Sequence, residues 1–445
     1  MERSVPVLAA ALALSLAGCG QGASPTASNG GPPDAATGPS DAATGALDVV
    51  PAVGDCQSLP PVGQVEDITP PAFHSPANIE TYAVTVHPQQ PNVVYLSGGN
   101  ITNGSACPAG QTCPSVSLGV YVSTDCGGTF APLSMGPNDA FKSGAQSEIK
   151  IDPVNPKNLY TMNLYGGPPT LFKSIDGGTT WANLFTSSQF GKPSQGGNGT
   201  FMDGGFVRSF DVDPGDPSHL VVAFHEDCYG PVAASSGDAV NGAVMCLAES
   251  RDGGATWSFF EGPIAPSSAD GGAPVILSTH GLAYANPGDG TGHTLWFTND
   301  AARARSSWQA LMTYDQTGPF YAVNRNGEYL APDGTVYLPG GSGVVYTSPG
   351  PMFGQSWQVA PGSPGSLVLG GDGRSAAQGG QLFASFRTPG TAHPILSAPL
   401  QGLGPFTPLS TPANFNGVSG MAYDVTHHIL YGAAAIQGLW RVRTY

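Results

Sequence analysis

The sequence predicts an all-β fold, a β-propeller of four-stranded antiparallel blades. Three observations lead to this prediction: one turn sequence occurs three times, a similar pair of strands precedes each copy, and glycine and proline are abundant. The 445 residues include 63 Gly and 42 Pro, and only 10% of them are charged. A repeated turn indicates a repeated structural unit. The composition favours many short strands and turns over long helices.

The repeated turn follows the pattern Ser-x-Asp-x-Gly-x-Thr-aromatic. An Asp at its head can accept hydrogen bonds from the following backbone N–H groups, and glycine supplies the positive φ values that a β-carbon resists. The aromatic ring leaves the turn toward a buried surface. We therefore expect these residues to be structural. They are Ser123, Asp125, Gly127, Thr129 and Phe130; Ser174, Asp176, Gly178, Thr180 and Trp181; and Ser250, Asp252, Gly254, Thr256 and Trp257. These three segments are called the box turns below.

The box turns resemble the Asp-box, or BNR-repeat, family found in sialidases, xyloglucanases and the luminal propeller of sortilin-type receptors. The resemblance implies a β-propeller and no single activity, because these proteins share the turn and differ in chemistry. Sialidases hold their substrate with three arginines, the first early in the fold, whereas this chain has no Arg between its signal segment and Arg208. A later trio could be Arg208, Arg325 and Arg387. The first-blade motif around the catalytic Asp of xyloglucanases is missing.

Each box turn is the second half of a longer unit. A strand that ends in proline comes first, in residues 82–88, 148–153 and 209–214. A second strand follows at residues 93–96, 159–162 and 220–224. A third strand enters the box turn and a fourth leaves it. Four antiparallel strands per unit form the blade of a propeller.

The later units lack the box turn and keep the strand spacing. The final unit shows three strands only, and residues 64–68 can supply its fourth and close the ring. We predict seven blades; six or eight are the alternatives, because the fourth unit is irregular. Residues 280–287 are expected to open the fourth unit, 327–331 the fifth, which ends near 356–359, and 382–386 to lie in the sixth, before the last strands at 420–424, 429–432 and 438–442.

The N-terminal residues predict export and lipidation. The apolar run Val5 to Leu16 is too short to span a bilayer and is typical of a signal peptide. It ends in Leu-Ala-Gly-Cys, which resembles a bacterial lipobox whose lipidated residue is Cys19. An ordinary cleaved signal is the alternative. Gly20 suggests outer-membrane sorting by analogy, so we expect an outer-membrane or cell-surface lipoprotein whose membrane contact is the N-terminal lipid alone.

The chain then divides into three parts. Residues 1–18 are the expected signal peptide. Residues 19–55 contain few large apolar side chains and are predicted to be a disordered tether, because they cannot bury enough surface to offset their ordering entropy. Residues 56–445 form the predicted propeller. A net charge of −16 argues against a nucleic-acid partner. We expect no cofactor, and a monomer.

Six cysteines follow Cys19, and an even number in an exported chain predicts three disulfides. Two insertions, in the first and third units, each contain a pair of cysteines. We therefore pair Cys107 with Cys113 and Cys228 with Cys246, which leaves Cys56 for Cys126. A zinc site is the alternative, but the sequence shows no Cys-x-x-Cys pair or Cys/His cluster with ligand spacing, so we expect no metal.

The predicted topology places the box turns and Pro turns on one face of the disc, and the insertions and long connections on the other. Long loops on a rigid scaffold commonly bind ligands. On that second face we expect Glu148, Glu226 and Asp227, which could act as acid and base in glycoside hydrolysis. Arg208, His225 and His280 are the expected ligand-binding residues there. The alternative is that all six are ordinary polar residues of the channel lining and loops.

Three function classes are consistent with these patterns. The first is a surface-anchored propeller that binds glycans or protein partners. The second is a divergent glycoside hydrolase acting at the channel mouth, and the third is a structural envelope lipoprotein. We favour the first, because the catalytic signatures of the resembling enzyme families are missing from the sequence.

Overall fold

The structure is a computed structural model. It describes residues 56, 58–73, 79–100, 119–133, 145–164, 170–185, 207–213, 215–228, 244–261, 275–278, 282–285, 293–297, 308–314, 329–339, 345–348, 358–359, 368–385, 392–413, 415–418, 420–434 and 438–445. In this part of the chain there are 28 strands and two short 3-10 turns, Pro71–Phe73 and Ala376–Gln378.

The strands form four-stranded antiparallel sheets, and the first three contain the box turns. Each sheet is one blade, numbered in chain order. Blade 1 has β2 (Ile79–Val86), β3 (Val94–Asn100), β4 (Gly119–Ser123) and β5 (Ala131–Pro132). Blade 2 has β6 (Ala145–Ile151), β7 (Leu159–Leu164), β8 (Leu171–Ser174) and β9 (Ala182–Asn183). Blade 3 has β10 (Val207–Val212), β11 (Leu220–Cys228), β12 (Val244–Ser250) and β13 (Ser258–Glu261).

Three further blades continue the same up-and-down order. Blade 4 has β14 (Val275–Ser278), β15 (Leu282–Ala285), β16 (His293–Phe297) and β17 (Gln309–Tyr314). Blade 5 has β18 (Tyr329–Leu330), β19 (Val336–Pro339), β20 (Val345–Ser348) and β21 (Gln358–Val359). Blade 6 has β22 (Val368–Gly371), β23 (Gln381–Ser385), β24 (Leu396–Pro399) and β25 (Thr407–Pro408).

The seventh sheet, called the closing blade, joins the two ends of the described chain. It has β26 (Gly420–Asp424), β27 (Ile429–Ala434) and β28 (Gly438–Arg443), and its fourth strand is β1 (Val65–Asp67). Val65 pairs with Val442 and Asp67 with Trp440. The sequence prediction that the segment around residues 64–68 completes the last blade is confirmed.

The first strand of each blade lies toward the first strands of its neighbours. β2 contacts both β6 and β26, β10 contacts β6 and β14, and β22 contacts β18 and β26. Blade 1 therefore packs against the closing blade. The apolar side chains lie between adjacent blades: Val84 of blade 1 packs with Tyr431 of the closing blade, and Phe210 of blade 3 packs with Tyr160 of blade 2.

Most predicted strands agree with the described ones, and one unit differs. Residues 280–287 do not open blade 4, because β14 at Val275–Ser278 comes first and Leu282–Ala285 is the second strand. The apolar strand β14 was overlooked because it follows a Gly/Pro-rich connection without a turn pattern of its own. Seven sheets are present in the described residues; that the complete ring has seven blades stays a prediction.

Candidate functional site

The three box turns have one hydrogen-bond pattern. In the second turn, Ser174 Oγ donates to Asp176 Oδ1 at 2.8 Å and accepts from Gly178 N at 2.8 Å. Thr180 N donates to Asp176 Oδ1 at 2.8 Å, and Thr180 Oγ1 donates to Asp176 Oδ2 at 2.6 Å. The same four bonds link the equivalent Ser, Asp, Gly and Thr residues of the first turn and of the third.

These bonds occupy both oxygens of each Asp and keep the carboxylates charged. Hydrogen bonds from the Thr256 side chain and backbone lower the pKa of Asp252 to about 2. Burial opposes this effect at Asp125 and Asp176, and the hydrogen bonds from their own Thr and Ser residues still leave the pKa of each below its ordinary value. The geometry is that of a rigid turn, and each carboxylate is directed at its own backbone.

Each box turn also packs closely against the preceding blade at the glycine two residues after its Asp. Gly178 has φ +94°, and a β-carbon there would lie 2.9 Å from Leu133 Cδ1 of blade 1. A β-carbon at Gly254 would lie 2.5 Å from Leu184 Cδ1 of blade 2, and one at Gly127 would lie 2.6 Å from Ile68 Cδ1. Only glycine combines this positive φ with so close an approach. The box turn is therefore a joint between blades.

The box turns and the first turns of their blades lie at the same edge of the sheet. Cys126 N donates to Asn92 O at 2.9 Å, Gly177 N to Lys157 O at 2.9 Å, and Gly253 N to Ser218 O at 2.8 Å. In each case a box turn is hydrogen-bonded to the turn between the first two strands. The opposite edge is the place where β2, β6 and β10 begin and where β3, β7 and β11 end.

That opposite edge carries bulges in the first strands of three consecutive blades. In blade 2 the pairing with β7 shifts between Gln146 and Glu148, and in blade 3 the pairing with β11 shifts between Val207 and Ser209. In blade 1 the pairing of β2 with β3 shifts between Thr81 and Ala83. Bulges turn a side chain away from the regular alternation and are common beside functional sites.

Glu148, an expected catalytic residue, lies at this bulge and is 3% exposed. Lys150 Nζ lies 3.2 Å from Glu148 Oε1 and 2.9 Å from Asp211 Oδ1 of blade 3. The lysine therefore joins carboxylates of two adjacent blades. A buried carboxylate held by an ion pair favours a structural role at this position.

The other expected site residues are described through their backbone or not at all. Arg208 lies in β10 at the bulge, while His225, Glu226 and Asp227 belong to β11, which extends beyond the predicted strand at residues 220–224. Pairing of β11 with β12 continues to Cys228, opposite Val244. The side chains of these four residues and of Cys228 and Cys246 lie outside the described residues, as do His280, Cys107 and Cys113 entirely. The pairings Cys107–Cys113 and Cys228–Cys246 therefore stay predictions. The proposed cluster of these groups stays a prediction.

A second cluster, which the sequence did not reveal, lies on the box-turn edge of blade 3. His219 is buried, with Nδ1 3.1 Å from Asp213 Oδ2 and Nε2 2.6 Å from Glu249 Oε1. Arg251 donates to the same Glu249 oxygen at 2.7 Å. The hydrogen bond that His219 donates to Glu249 is the main cause that raises the pKa of His219. Two carboxylates thus hold one imidazolium, which links the first turn to the box turn.

The third cluster lies where the ends of the propeller meet, at the first box turn. Cys56 and Cys126 form a disulfide with Cα atoms 5.3 Å apart, the pairing expected from the sequence. Cys126 has φ +60°, at a position where the other two box turns have glycine. Arg441, 3% exposed, donates to Cys126 O at 2.7 Å, Glu66 Oε2 at 2.7 Å and Ser58 O at 3.1 Å.

Asp424 and His427 complete this third cluster. They lie in the turn between β26 and β27, where Asp424 Oδ1 accepts from the backbone N–H groups of residues 426 and 427 and Oδ2 lies 2.6 Å from His427 Nδ1. One donor atom from each of Cys56, Cys126, Asp424 and His427 lies within 4.8 Å of the other three. No local spacing in the sequence predicts this set, because the four residues come from three distant segments.

Comparisons with known proteins identify the fold class. No family model matches the chain, and no curated protein matches it. Among solved structures, YCF48 bound to D1 peptide aligns with a TM-score of 0.50 at 12% identity over 88% of this chain and 98% of that one. The Swd1 β-propeller domain of Myceliophteria thermophila aligns with a TM-score of 0.50 at 10% identity over 82% of this chain and 100% of that domain.

An ancestral GH74 enzyme also aligns, with a TM-score of 0.41 at 16% identity over 77% of this chain. The present chain spans 39% of that enzyme's length. The likenesses of 0.50 show the fold: the chain is a β-propeller. Within the described residues, no helix combines the length and apolar character needed to span a membrane.

Proposed function

We propose that this protein is an exported, lipid-anchored propeller of the Asp-box kind that binds a protein partner through an exposed peptide segment. The observation that carries the proposal is the state of Glu148. This expected acid or base is 3% exposed and ion-paired to Lys150, which also contacts Asp211 of blade 3, so its described contacts are with the scaffold. Binding needs no such group, and the bulged edge offers three adjacent blades to a ligand.

The fold comparison supports a peptide as the ligand. YCF48, which aligns over nearly its full length, is described as bound to a peptide. Propellers present loops from several blades around a central opening, and an extended peptide can contact many of them at once. A glycan ligand or glycoside hydrolysis is the competing function, and both are outcomes of the test below.

The test uses residues 56–445 on a peptide array, on a glycan array and with chromogenic glycosides. We expect binding to peptides and no turnover. Arg208→Ala and Glu226→Ala should weaken binding at least 10-fold with an unchanged melting temperature, because both residues belong to strand ends at the bulged edge. Lys157→Ala, an exposed cation at the opposite edge, is the control and should bind like wild type. Glycoside turnover would contradict the proposal.

Lipid anchoring at Cys19 has its own test. Cys19→Ser should move the protein from the membrane fraction to the soluble fraction, since the lipid is the only proposed anchor. The domain should keep its circular dichroism spectrum, because residues 19–55 are proposed to add nothing to its core. A Ser variant that stays with the membrane would contradict the anchor and would leave the binding proposal untouched.

A further inference from the structure

The third cluster contains the donor atoms of a zinc site. Two cysteine sulfurs, one imidazole and one carboxylate are all ligands that Zn²⁺ takes in proteins, and four such ligands complete a tetrahedral structural site. The donor atoms of Cys56, Cys126, Asp424 and His427 lie within 4.8 Å of one another. Tetrahedral zinc needs its two sulfurs about 3.8 Å apart, given Zn–S bonds of about 2.3 Å. In the disulfide the two sulfurs are closer than this, so the site requires reduction and a separation of the two sulfurs.

The surroundings of the four residues favour a fixed site over a chance meeting. Asp424 is fully buried, and Oδ1 holds the turn while Oδ2 contacts His427, which fixes the imidazole orientation. Cys126 is also fully buried, and its backbone carbonyl is held by Arg441 and Tyr431. Three of the four donors are therefore positioned independently of the disulfide.

The conformation of Cys126 adds a second observation. A residue other than glycine at φ +60° is uncommon, and both other box turns have glycine at this position with φ +71°. Strained positions often mark residues kept for a function. The first box turn therefore has a cysteine at a position where glycine would adopt the conformation without strain.

We propose that the reduced form of this protein binds one Zn²⁺ ion through Cys56, Cys126, His427 and Asp424. In the oxidised form the disulfide occupies the two sulfurs. A phosphine reductant transfers two electrons to the disulfide and becomes a phosphine oxide, with water supplying its oxygen and the protons of the two thiols. Zn²⁺ then displaces these two protons as it binds both thiolates. The segments of Cys56 and Cys126 are joined in both states, by a covalent bond or by a metal ion, and the metal ion adds the turn that contains Asp424 and His427.

The experiment compares Zn²⁺ and Co²⁺ binding by the full chain after phosphine reduction. The control variant is Cys56→Ser/Cys126→Ser, which keeps the other five cysteines and therefore measures the background metal binding. We expect reduced wild type to bind one more ion than this variant, and Co²⁺ to give the thiolate charge-transfer and tetrahedral d–d bands. Oxidised wild type should lack these bands. Equal stoichiometry in reduced wild type and background would overturn the proposal.

A matched pair of histidine variants assigns the nitrogen ligand. His427→Asn should weaken Zn²⁺ binding at least 10-fold, while His428→Asn, one residue away and stacked on Tyr445, should bind like wild type. Equal affinities of the two variants would overturn the assignment of His427.

Reduction can unfold the protein, so thermal melting provides a second measurement. Zn²⁺ should raise the melting temperature of reduced wild type, or restore its folding, and should do neither for Cys56→Ser/Cys126→Ser. A reduced wild type that Zn²⁺ neither stabilises nor refolds would contradict the site. This proposal does not depend on the proposed binding function.

Discussion

The box turns of blades 1–3 and the junction at the closing blade stabilise the ring in different ways. A box turn uses residues within eight positions of one another, together with one apolar side chain from the preceding blade. The junction uses Arg441, which contacts Glu66 across 375 positions, and a disulfide across 70. Repeated blades can rely on local bonds. The place where the chain's ends meet needs long-range bonds, because no covalent connection joins β1 to β28.

The largest expected effect comes from removing the covalent part of the junction. Cys56→Ser/Cys126→Ser should lower the free energy of unfolding by about 4 kcal/mol, because the disulfide closes a loop of 70 residues in the unfolded chain. Urea unfolding under oxidising conditions measures the change. A loss below about 1 kcal/mol would show that the junction does not need the crosslink, and the contrast with the box turns would weaken.

Arg441 tests the noncovalent part of the junction. Arg441→Ala should cost about 2–4 kcal/mol, because it removes a buried cation and leaves the carbonyl of Ser58 without this donor. The control is Arg443→Ala, two residues further along the same strand, where the side chain is exposed and the cost should stay within about 0.5 kcal/mol. Equal midpoints of urea unfolding for the two variants would contradict the role of Arg441.

The box-turn joint can be tested with adjacent glycines. Gly177 and Gly178 both have positive φ, +71° and +94°, but only a β-carbon at residue 178 meets the preceding blade. Gly177→Ala should cost about 1 kcal/mol for its backbone conformation, and Gly178→Ala about 2–3 kcal/mol because the clash with Leu133 is added. If thermal melting shows equal losses of stability for the two variants, the box turn stabilises its own blade only and does not join adjacent blades.

The box turns, the junction and the histidine clusters show how much of the fold and of the site the sequence could predict. The box turns, the Pro turns and the missing strand of the last blade are local or repeated, so the sequence predicts them directly. The glycine joint was missed, although an aromatic-x-x-Leu spacing, Phe130 to Leu133 and Trp181 to Leu184, could have indicated it. The clusters around His219 and His427 could not be predicted, since their members come from separate strands with no common spacing.

The smallest expected effect is a difference in pH dependence. The pKa of Asp252 is about 2 in the folded protein against an ordinary 3.8, so its stabilisation is complete above pH 3.8 and is lost as the pH falls toward 2. The pKa of His219 is raised above 6.5, so its stabilisation is complete below pH 6.5 and is lost as the pH rises through the higher value.

His219→Gln should therefore remove the alkaline decrease in melting temperature and leave the acid decrease intact. Asp252→Asn should reduce the acid decrease alone. Melting curves of both variants and wild type from pH 2 to pH 9 make the comparison. A His219→Gln profile parallel to wild type above pH 6.5 would contradict the imidazolium between Asp213 and Glu249.

The pairing of β1 with β28 also affects synthesis of the chain. A ribosome that adds about 5–20 residues per second needs roughly 20–75 s to travel from Glu66 to Arg441, a separation of 375 positions. During that time β1 has no partner strand, and blade 1 lacks the closing blade against which its apolar side packs. Unpaired strand edges favour association between chains. The finished ring is protected from aggregation by the pairing of β1 with β28, and the nascent chain is not. A chaperone would therefore be needed most before the last 30 residues are synthesised.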